Sequence, residues 1–162
     1  MQESSNKIIQ DGEIVSFDTD MVGPYGYCAD ISRAFVCGNK FNEHQKKIYL
    51  TAVEQIDYNS RLIKDGVSFR EFTEKAWILP EKYYGNRYSV MLHGIGLCDE
   101  WPAIRYPTDG GERSGIFQKN MTITLESYIG EVGGHEGVKL EQQYLVGENG
   151  LELMSHHPLE QI

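Results

Sequence analysis

Glu13 to Phe35 holds two short runs mixing apolar residues with Asp18, Asp20 and Asp30, separated by Gly23-Pro24-Tyr25-Gly26. That pattern predicts a β-hairpin with its turn at those four residues. Residues i and i+2 of a strand share a face, so Asp18 and Asp20 point to one side and Phe17 and Thr19 to the other. A hairpin centred on Tyr25 sets Asp20 opposite Asp30, with Cα atoms about 5 Å apart. Before it, Met1 to Gln10 reads as the end of a helix stopped by Asp11-Gly12. After it, Gly38-Asn39-Lys40 closes the hairpin, and Asn42 caps a long helix. Ile48, Ala52, Ile56, Leu62 and Ile63 form its apolar stripe, which runs to Gly66. Ser68-Phe69-Arg70-Glu71 is a capping-box pattern that starts a second helix reaching Pro80, with Trp77, Ile78 and Leu79 as core.

Arg87 to Leu92 reads as a strand leading into His93-Gly94-Ile95-Gly96-Leu97. Residues 102–120 are rich in Pro, Gly and charge and read as a surface loop. Met121 to Ile129 alternates: Met121, Ile123 and Leu125 on one face, Thr122, Thr124 and Glu126 on the other. Glu136 to Val146 is the returning strand, joined through Gly130 to His135. A hairpin centred near Gly133-Gly134 sets Glu126 opposite Glu141, with Lys139 and Gln143 on the face of Glu141. Asn149-Gly150 marks a tight turn into a last strand ending near Met154, and the tail from Ser155 is expected to be loose. No internal repeat or low-complexity segment divides the chain.

The two hairpins thus each bring two carboxylates face to face, and like charges that close repel unless something positive sits between them. His93 stands between the hairpins in sequence. Asp18, Asp20, Asp30, His93, Glu126 and Glu141 suit divalent Mn, Fe, Co or Zn, and suit two ions better than one. The plainer alternative is a solvated hairpin with scattered acids. His44, His135, His156 and His157 lie on a polar helix face, in a turn and in the tail, and are not taken as ligands.

Composition adds limits. The 162 residues, 40% hydrophobic and 24% charged, suit one domain with a real core. The net charge of −9 without a basic patch argues against nucleic acid and anionic membrane as partners. No apolar run is long enough to span a bilayer, and the N-terminus lacks the pattern of a signal peptide, so a cytoplasmic location is expected. Cys28, Cys37 and Cys98 form neither a disulfide framework nor a zinc motif and fit a reducing compartment.

The order Asp, Asp, His, Glu, Glu, carried by DTDMVGPYGYCADISR, HGIGL, TITLE and GVKLE, resembles the pita-bread family of aminopeptidase P, prolidase, methionine aminopeptidase and creatinase. The resemblance covers nearly the whole chain. It implies an α+β fold, a curved antiparallel sheet flanked by helices, with residues 1–162 as the C-terminal part of the metal-binding catalytic domain. On the family pattern Asp20 binds one metal, Asp30 and Glu141 bridge, and His93 and Glu126 bind the other. Two features depart from the peptidases. Asp20 and Asp30 are closer in sequence than the peptidases' first two aspartates, so Asp18 and Asp20 are both candidates. Where peptidases carry a second histidine after the HGIGL segment, this chain has Cys98-Asp99-Glu100-Trp101-Pro102.

In those features the chain resembles the dimethylsulfoniopropionate lyase branch of the family. That resemblance implies two iron ions held by Asp18, Asp20, Asp30, His93, Glu126 and Glu141, with Asp99 as catalytic base and Tyr88 assisting. It implies β-elimination of a small-molecule substrate to dimethyl sulfide and acrylate, in a homodimer when full length. Trp101 and Tyr106 are the aromatic faces expected to hold the sulfonium; for Trp101 a packed loop anchor is the alternative. A Xaa-Pro metallopeptidase and a non-catalytic binding module are the rival functions.

Overall fold

The computed structural model describes residues 6–38, 40–110 and 114–159. Its framework is a five-stranded antiparallel sheet. In chain order its members are β5 (Val90–Gly94), β6 (Ala103–Arg105), β7 (Thr122–Gly130), β8 (Gly137–Val146) and β9 (Leu151–Leu153), arranged as β6-β5-β7-β8-β9. Four shorter strands precede it: β1 (Ile14–Asp18), β2 (Met21–Val22), β3 (Cys28–Ala29) and β4 (Ser32–Val36). Three helices lie between the two groups: α1 (Glu43–Ser60), α2 (Phe69–Lys75) and α3 (Glu81–Tyr84).

The two hairpin registers follow from where their turns lie. β7 pairs with β8 so that Glu126 faces Glu141, Thr124 faces Gln143 and Tyr128 faces Lys139. In the first hairpin Asp18 faces Ser32 and Met21 faces Ala29. Both pairings keep one register centred on Tyr25, as the turn predicts. The ladder nevertheless breaks into two pieces around Thr19-Asp20 and Asp30-Ile31, where the Thr19 hydroxyl donates to the Ile31 carbonyl at 2.9 Å. The break frees Asp20 and Asp30 from strand pairing just where their carboxylates are needed.

Helix α1 starts at Asn42, whose side chain accepts from the Gln45 N–H while Gln45 returns a bond to the Asn42 N–H. Its buried stripe of Ile48, Tyr49, Ala52 and Ile56 covers the apolar face of β7 and β8, where Leu125, Ile129, Val138 and Leu140 are fully buried. A polar thread is sealed into that contact: Ser127 donates to Gln55 at 2.7 Å, and Gln55 donates to the Tyr106 hydroxyl at 2.7 Å. Both partners of each bond are buried and paired, so the thread adds no desolvation penalty.

Several elements differ from the pattern reading. α1 ends at Ser60 rather than near Gly66, and Ile63 is buried from a following turn. α2 ends at Lys75 rather than at Pro80; the stretch beyond leaves Ile78 89% exposed while Leu79 is buried. β5 begins later than Arg87 and runs through His93 and Gly94, so the histidine sits within the strand. Residues 6–10 are not helical, and residues 1–5 and Asn39 lie outside the described residues.

Two larger corrections concern the presumed surface segments. Residues 102–120 supply β6 and three buried side chains, Ile104, Tyr106 and Phe117. Pro, Gly and charge set the turns there, but periodicity is too short to expose a three-residue edge strand. The tail is not loose either. The buried Arg33 guanidinium donates to the carbonyls of His157 (2.5 Å) and Pro158 (3.3 Å), and to Gln142 Oε1 at 2.6 Å. Ser155 donates to the same Gln142 oxygen at 2.8 Å. A buried guanidinium needs all its donors satisfied, and the tail supplies the carbonyls.

Phe117, fully buried, meets Phe69 and Phe72 edge-on with centroids at 4.8 and 5.9 Å. Phe117→Ala is expected to lower unfolding free energy by about 3–5 kcal/mol in urea denaturation. A change within ~0.5 kcal/mol, typical of surface sites, would restore the surface-loop reading.

Candidate metal centre

Glu126 and Glu141 sit opposite one another on β7 and β8, both buried, on the face away from α1. β5 lies beside β7 with His93 facing Thr124, which carries the imidazole to the same spot. Asp30 enters from the first hairpin; its backbone N–H donates to Gln143 Oε1 at 3.3 Å, and Gln143 is two positions from Glu141 on the same face. Four ionisable groups from three separate stretches of chain therefore meet in a buried volume.

The imidazole is oriented by its neighbours. Nδ1 bonds the Gly94 carbonyl at 3.0 Å, which fixes that nitrogen as a donor and turns Nε2 toward the carboxylates. Nε2 lies 3.2 Å from Glu141 Oε1, 3.4 Å from Glu126 Oε1, 3.6 Å from Asp30 Oδ2 and 2.9 Å from Thr124 Oγ1. Burial alone lowers the His93 pKa, but the Glu126 and Glu141 carboxylates close to Nε2 raise it to about 11. Burial first, then the Glu141 and Asp20 charges, pushes Asp30 up to about 9. Burial also raises Glu126. Burial works the same way on Glu141, but bonding to His93 and the Lys139 charge outweigh it, and its pKa is lowered.

Strand alternation puts Lys139 on the Glu141 face but assigns it no role. Its Nζ lies 2.6 Å from Asp18 Oδ2, 3.3 Å from Glu126 Oε2 and 3.7 Å from Glu141 Oε2. Its pKa is raised: burial opposes the charge, but Glu126 and Glu141 outweigh it. Ser32, opposite Asp18 in the ladder, donates to Asp18 Oδ1 at 2.5 Å and stands 3.0 Å from Glu141 Oε2. Asp18 is thereby committed to a lysine and a serine, and is absent from both clusters of potential ligands among the described residues.

Those clusters are Asp30, His93 and Glu141, and Asp20, Asp30 and Asp99; within each, one ligand atom per residue lies within 4.8 Å of the others. Three buried oxygens in this region, Asp30 Oδ1, Glu126 Oε2 and Glu141 Oε1, have no hydrogen-bond partner. Lys139 and His93 stand within ion-pair range of the two glutamate oxygens, but not in aligned hydrogen bonds. Orphaned anionic oxygens around an imidazole nitrogen are what a divalent cation satisfies, so the residues present fit the expected metal.

The other expected site residues are spread around this centre. Asp99 is half-buried at its mouth beside Asp20. Tyr88 is half-buried, with Lys139 Nζ 5.3 Å from its ring centroid; burial and then Glu126 push its pKa up to about 12. Trp101 is 69% exposed and borders a separate, mainly apolar cavity of about 340 Å³ that Leu92 and Phe117 also line. Tyr106 is elsewhere: its ring is in the core against Tyr84 and its hydroxyl is bonded to Gln55. The aromatic side chain expected there to hold an onium group instead packs the helix–sheet contact.

The loop carrying Asp99 is tied at both ends, by Cys28 N–H to the Gly96 carbonyl at 2.7 Å and Gly94 N–H to the Pro102 carbonyl at 2.9 Å. A Cβ on Gly94 would run into the Trp101 carbonyl oxygen, so only glycine allows this approach.

The profile of metallopeptidase family M24 matches residues 1–148, and the chain belongs to that family. It is 37% identical over 162 residues to a dimethylsulfoniopropionate lyase DddP of Roseovarius nubinhibens, covering 98% of this chain and 36% of that protein. Among solved structures it resembles the prolidase of Pyrococcus horikoshii OT3 (TM-score 0.82, 28% identity, 98% of this chain and 44% of that one). It also resembles an X-Pro aminopeptidase from Thermotoga maritima MSB8 (TM-score 0.77, 26% identity, 98% and 44%). The chain has the pita-bread fold that these family members share, and spans only about a third of the curated lyase's length. No helix among the described residues is long and apolar enough to cross a membrane.

Stripped of metal by a chelator, the folded protein holds protons on His93 up to about pH 11 and on Asp30 up to about pH 9. The unfolded chain releases them near pH 6.5 and 4. The folded state therefore binds more protons between about pH 6.5 and 9, and stability falls as pH rises across that window. The chelated protein is expected to lose Tm over that range, and divalent metal to abolish the loss by replacing the protons. A flat chelated Tm would show that these groups do not share a proton-rich cluster.

Lys139→Met removes a largely buried cation from three carboxylates. It is expected to destabilise the chelated protein by about 3 kcal/mol. Equal stability of wild type and variant in denaturant titration would mean that solvent screens Lys139.

Proposed function

We propose that the chain carries the catalytic centre of a metal-dependent lyase acting on dimethylsulfoniopropionate. The observation that supports this most is Asp99, a carboxylate beside Asp20 and Asp30 at the mouth of the metal centre. The resemblance to peptidases calls for a histidine in that loop. The 37% identity with DddP over 98% of the chain points the same way.

On this reading Asp30, His93, Glu126, Glu141 and Asp20 would hold divalent metal, with iron the first choice. Bound metal supplies Lewis-acid polarisation of the substrate carboxylate, which acidifies the adjacent C–H. Asp99 takes that proton on a carboxylate oxygen. The C–H electron pair becomes the C=C bond of acrylate, and the C–S pair leaves with sulfur as neutral dimethyl sulfide. Asp99 then returns the proton to solvent. Tyr88 stays protonated at neutral pH because burial and Glu126 raise its pKa to about 12. It serves as a hydrogen-bond donor to the substrate and not as a base. No nucleophilic water is needed, so a site without the peptidases' second histidine can run this reaction.

The second reading, a Xaa-Pro peptidase, is favoured by the solved structures, which are prolidase and X-Pro aminopeptidase at 26–28% identity. Both readings are tested on one metal-loaded sample: headspace dimethyl sulfide from dimethylsulfoniopropionate, and proline release from a Xaa-Pro dipeptide. The expected result is sulfide without proline; proline without sulfide would establish the peptidase. At saturating metal, Asp99→Asn is expected to lower kcat for sulfide release by about 10²–10⁴, and an unchanged kcat would remove Asp99 as the base.

A further inference from the structure

We propose that Asp99 is itself a metal ligand in the substrate-free protein, completing with Asp20 and Asp30 an outer, all-carboxylate cation site beside the inner site of Asp30, His93 and Glu141. This rests on the metal-centre reading above and not on the choice between lyase and peptidase.

The proximity of one carboxylate oxygen from each of Asp20, Asp30 and Asp99 would not suffice alone, because acidic groups gather without a cation. The independent observation is Asp30. It is 2% exposed, and its Oδ2 faces the His93 side of the centre. Its Oδ1 is buried without any hydrogen-bond partner. A carboxylate oxygen withdrawn from water and left unpaired is strongly unfavourable unless a proton or a cation meets it. Asp30 belongs to both clusters, so it joins the two sites.

Asp18, the other candidate for the outer ion, has both oxygens engaged, Oδ1 by Ser32 and Oδ2 by Lys139. The tethered ammonium does for Asp18 what a metal ion would do. The third oxygen donor of the outer site then has to come from another element, and the loop after β5 brings Asp99. The loop is held for that purpose. Its ends are pinned to Cys28 and within itself at Gly94 and Pro102. Glu100 adopts the left-handed conformation (φ 56°), uncommon for a glutamate, and its N–H donates to Asp99 Oδ1 at 3.0 Å.

Two consequences follow from the donor sets. The outer site offers only carboxylate oxygens and has an exposed member, Asp20, so it suits a hard, readily exchanged ion such as Mn²⁺ or Mg²⁺. The inner site adds an imidazole and suits borderline ions such as Zn²⁺ or Fe²⁺ more strongly. Any anionic ligand that enters competes with Asp99 for the outer cation.

The test uses Mn²⁺ alone, titrated into the chelator-stripped chain and followed by calorimetry and by the EPR signal of free Mn²⁺. Wild type is expected to show a tighter and a weaker class of site. Asp99→Asn and Asp20→Asn are both expected to weaken the weaker class by about tenfold or more and to leave the tighter class within about threefold. Glu100→Gln, which removes a neighbouring exposed charge, is expected to change neither class. An unchanged weaker class in Asp99→Asn would overturn the proposal. So would an equal weakening by Glu100→Gln, since the effect would then be diffuse charge and not ligation. Asp99 lies on a half-buried loop outside the core, and circular dichroism confirms that the variants fold. Two normal classes in a protein that releases no dimethyl sulfide would reject the lyase and leave this assignment standing.

Discussion

Buried negative charge is the constraint around which this molecule is built. Asp30, Glu126 and Glu141 are each at most 3% exposed, and each places an oxygen within 3.6 Å of His93 Nε2. Such a group is tolerable only with compensating positive charge. Within the chain, His93 and Lys139 provide it from opposite sides, one among the inner oxygens and the other against Asp18, Glu126 and Glu141. The remaining orphaned oxygens define where divalent metal fits. Much of the architecture serves to hold these groups against their mutual repulsion. The β7–β8 register, the interrupted first hairpin, and Arg33 tying β4 to β8 and the tail are all parts of that scaffold.

A prolidase and an X-Pro aminopeptidase share this chain's fold, and a fold does not by itself choose a reaction. On the lyase reading the choice lies in the loop from Ile95 to Pro102, which is tied at its ends and carries Asp99. A strained position at Glu100 and a close approach at Gly94 hold that loop against the mouth of the centre. Rigid strands fix the ligands and a short constrained loop adds the distinguishing group.

Pattern reading worked where a local rule fixes a long-range result. The turn at Tyr25 and the one near Gly133-Gly134 each set a register, and each register places a carboxylate pair. The Asn42 cap works likewise, because its donors and acceptors lie within one turn of helix. Reading failed where an element owes its existence to neighbours. β6 is three residues long and forms because β5 offers an edge. Ser155 to Pro158 is ordered because Arg33 needs acceptors. Tyr106 has the composition of a binding-site aromatic, yet a glutamine from α1 claims its hydroxyl.

By itself, then, the sequence determined the ligand types, the strand faces on which they lie and the two hairpin centres, since alternation and turn chemistry depend on adjacent residues alone. Tertiary structure decided which acids stand together. Asp18 and Asp20 stand on the same face of one hairpin, and nothing local separates them. Only the approach of Lys139 from β8 assigns Asp18 to an ammonium, and only the return of the β5 loop sets Asp99 beside Asp20. Charge interactions act through space between segments distant in the chain, and their partners are chosen when the sheet closes.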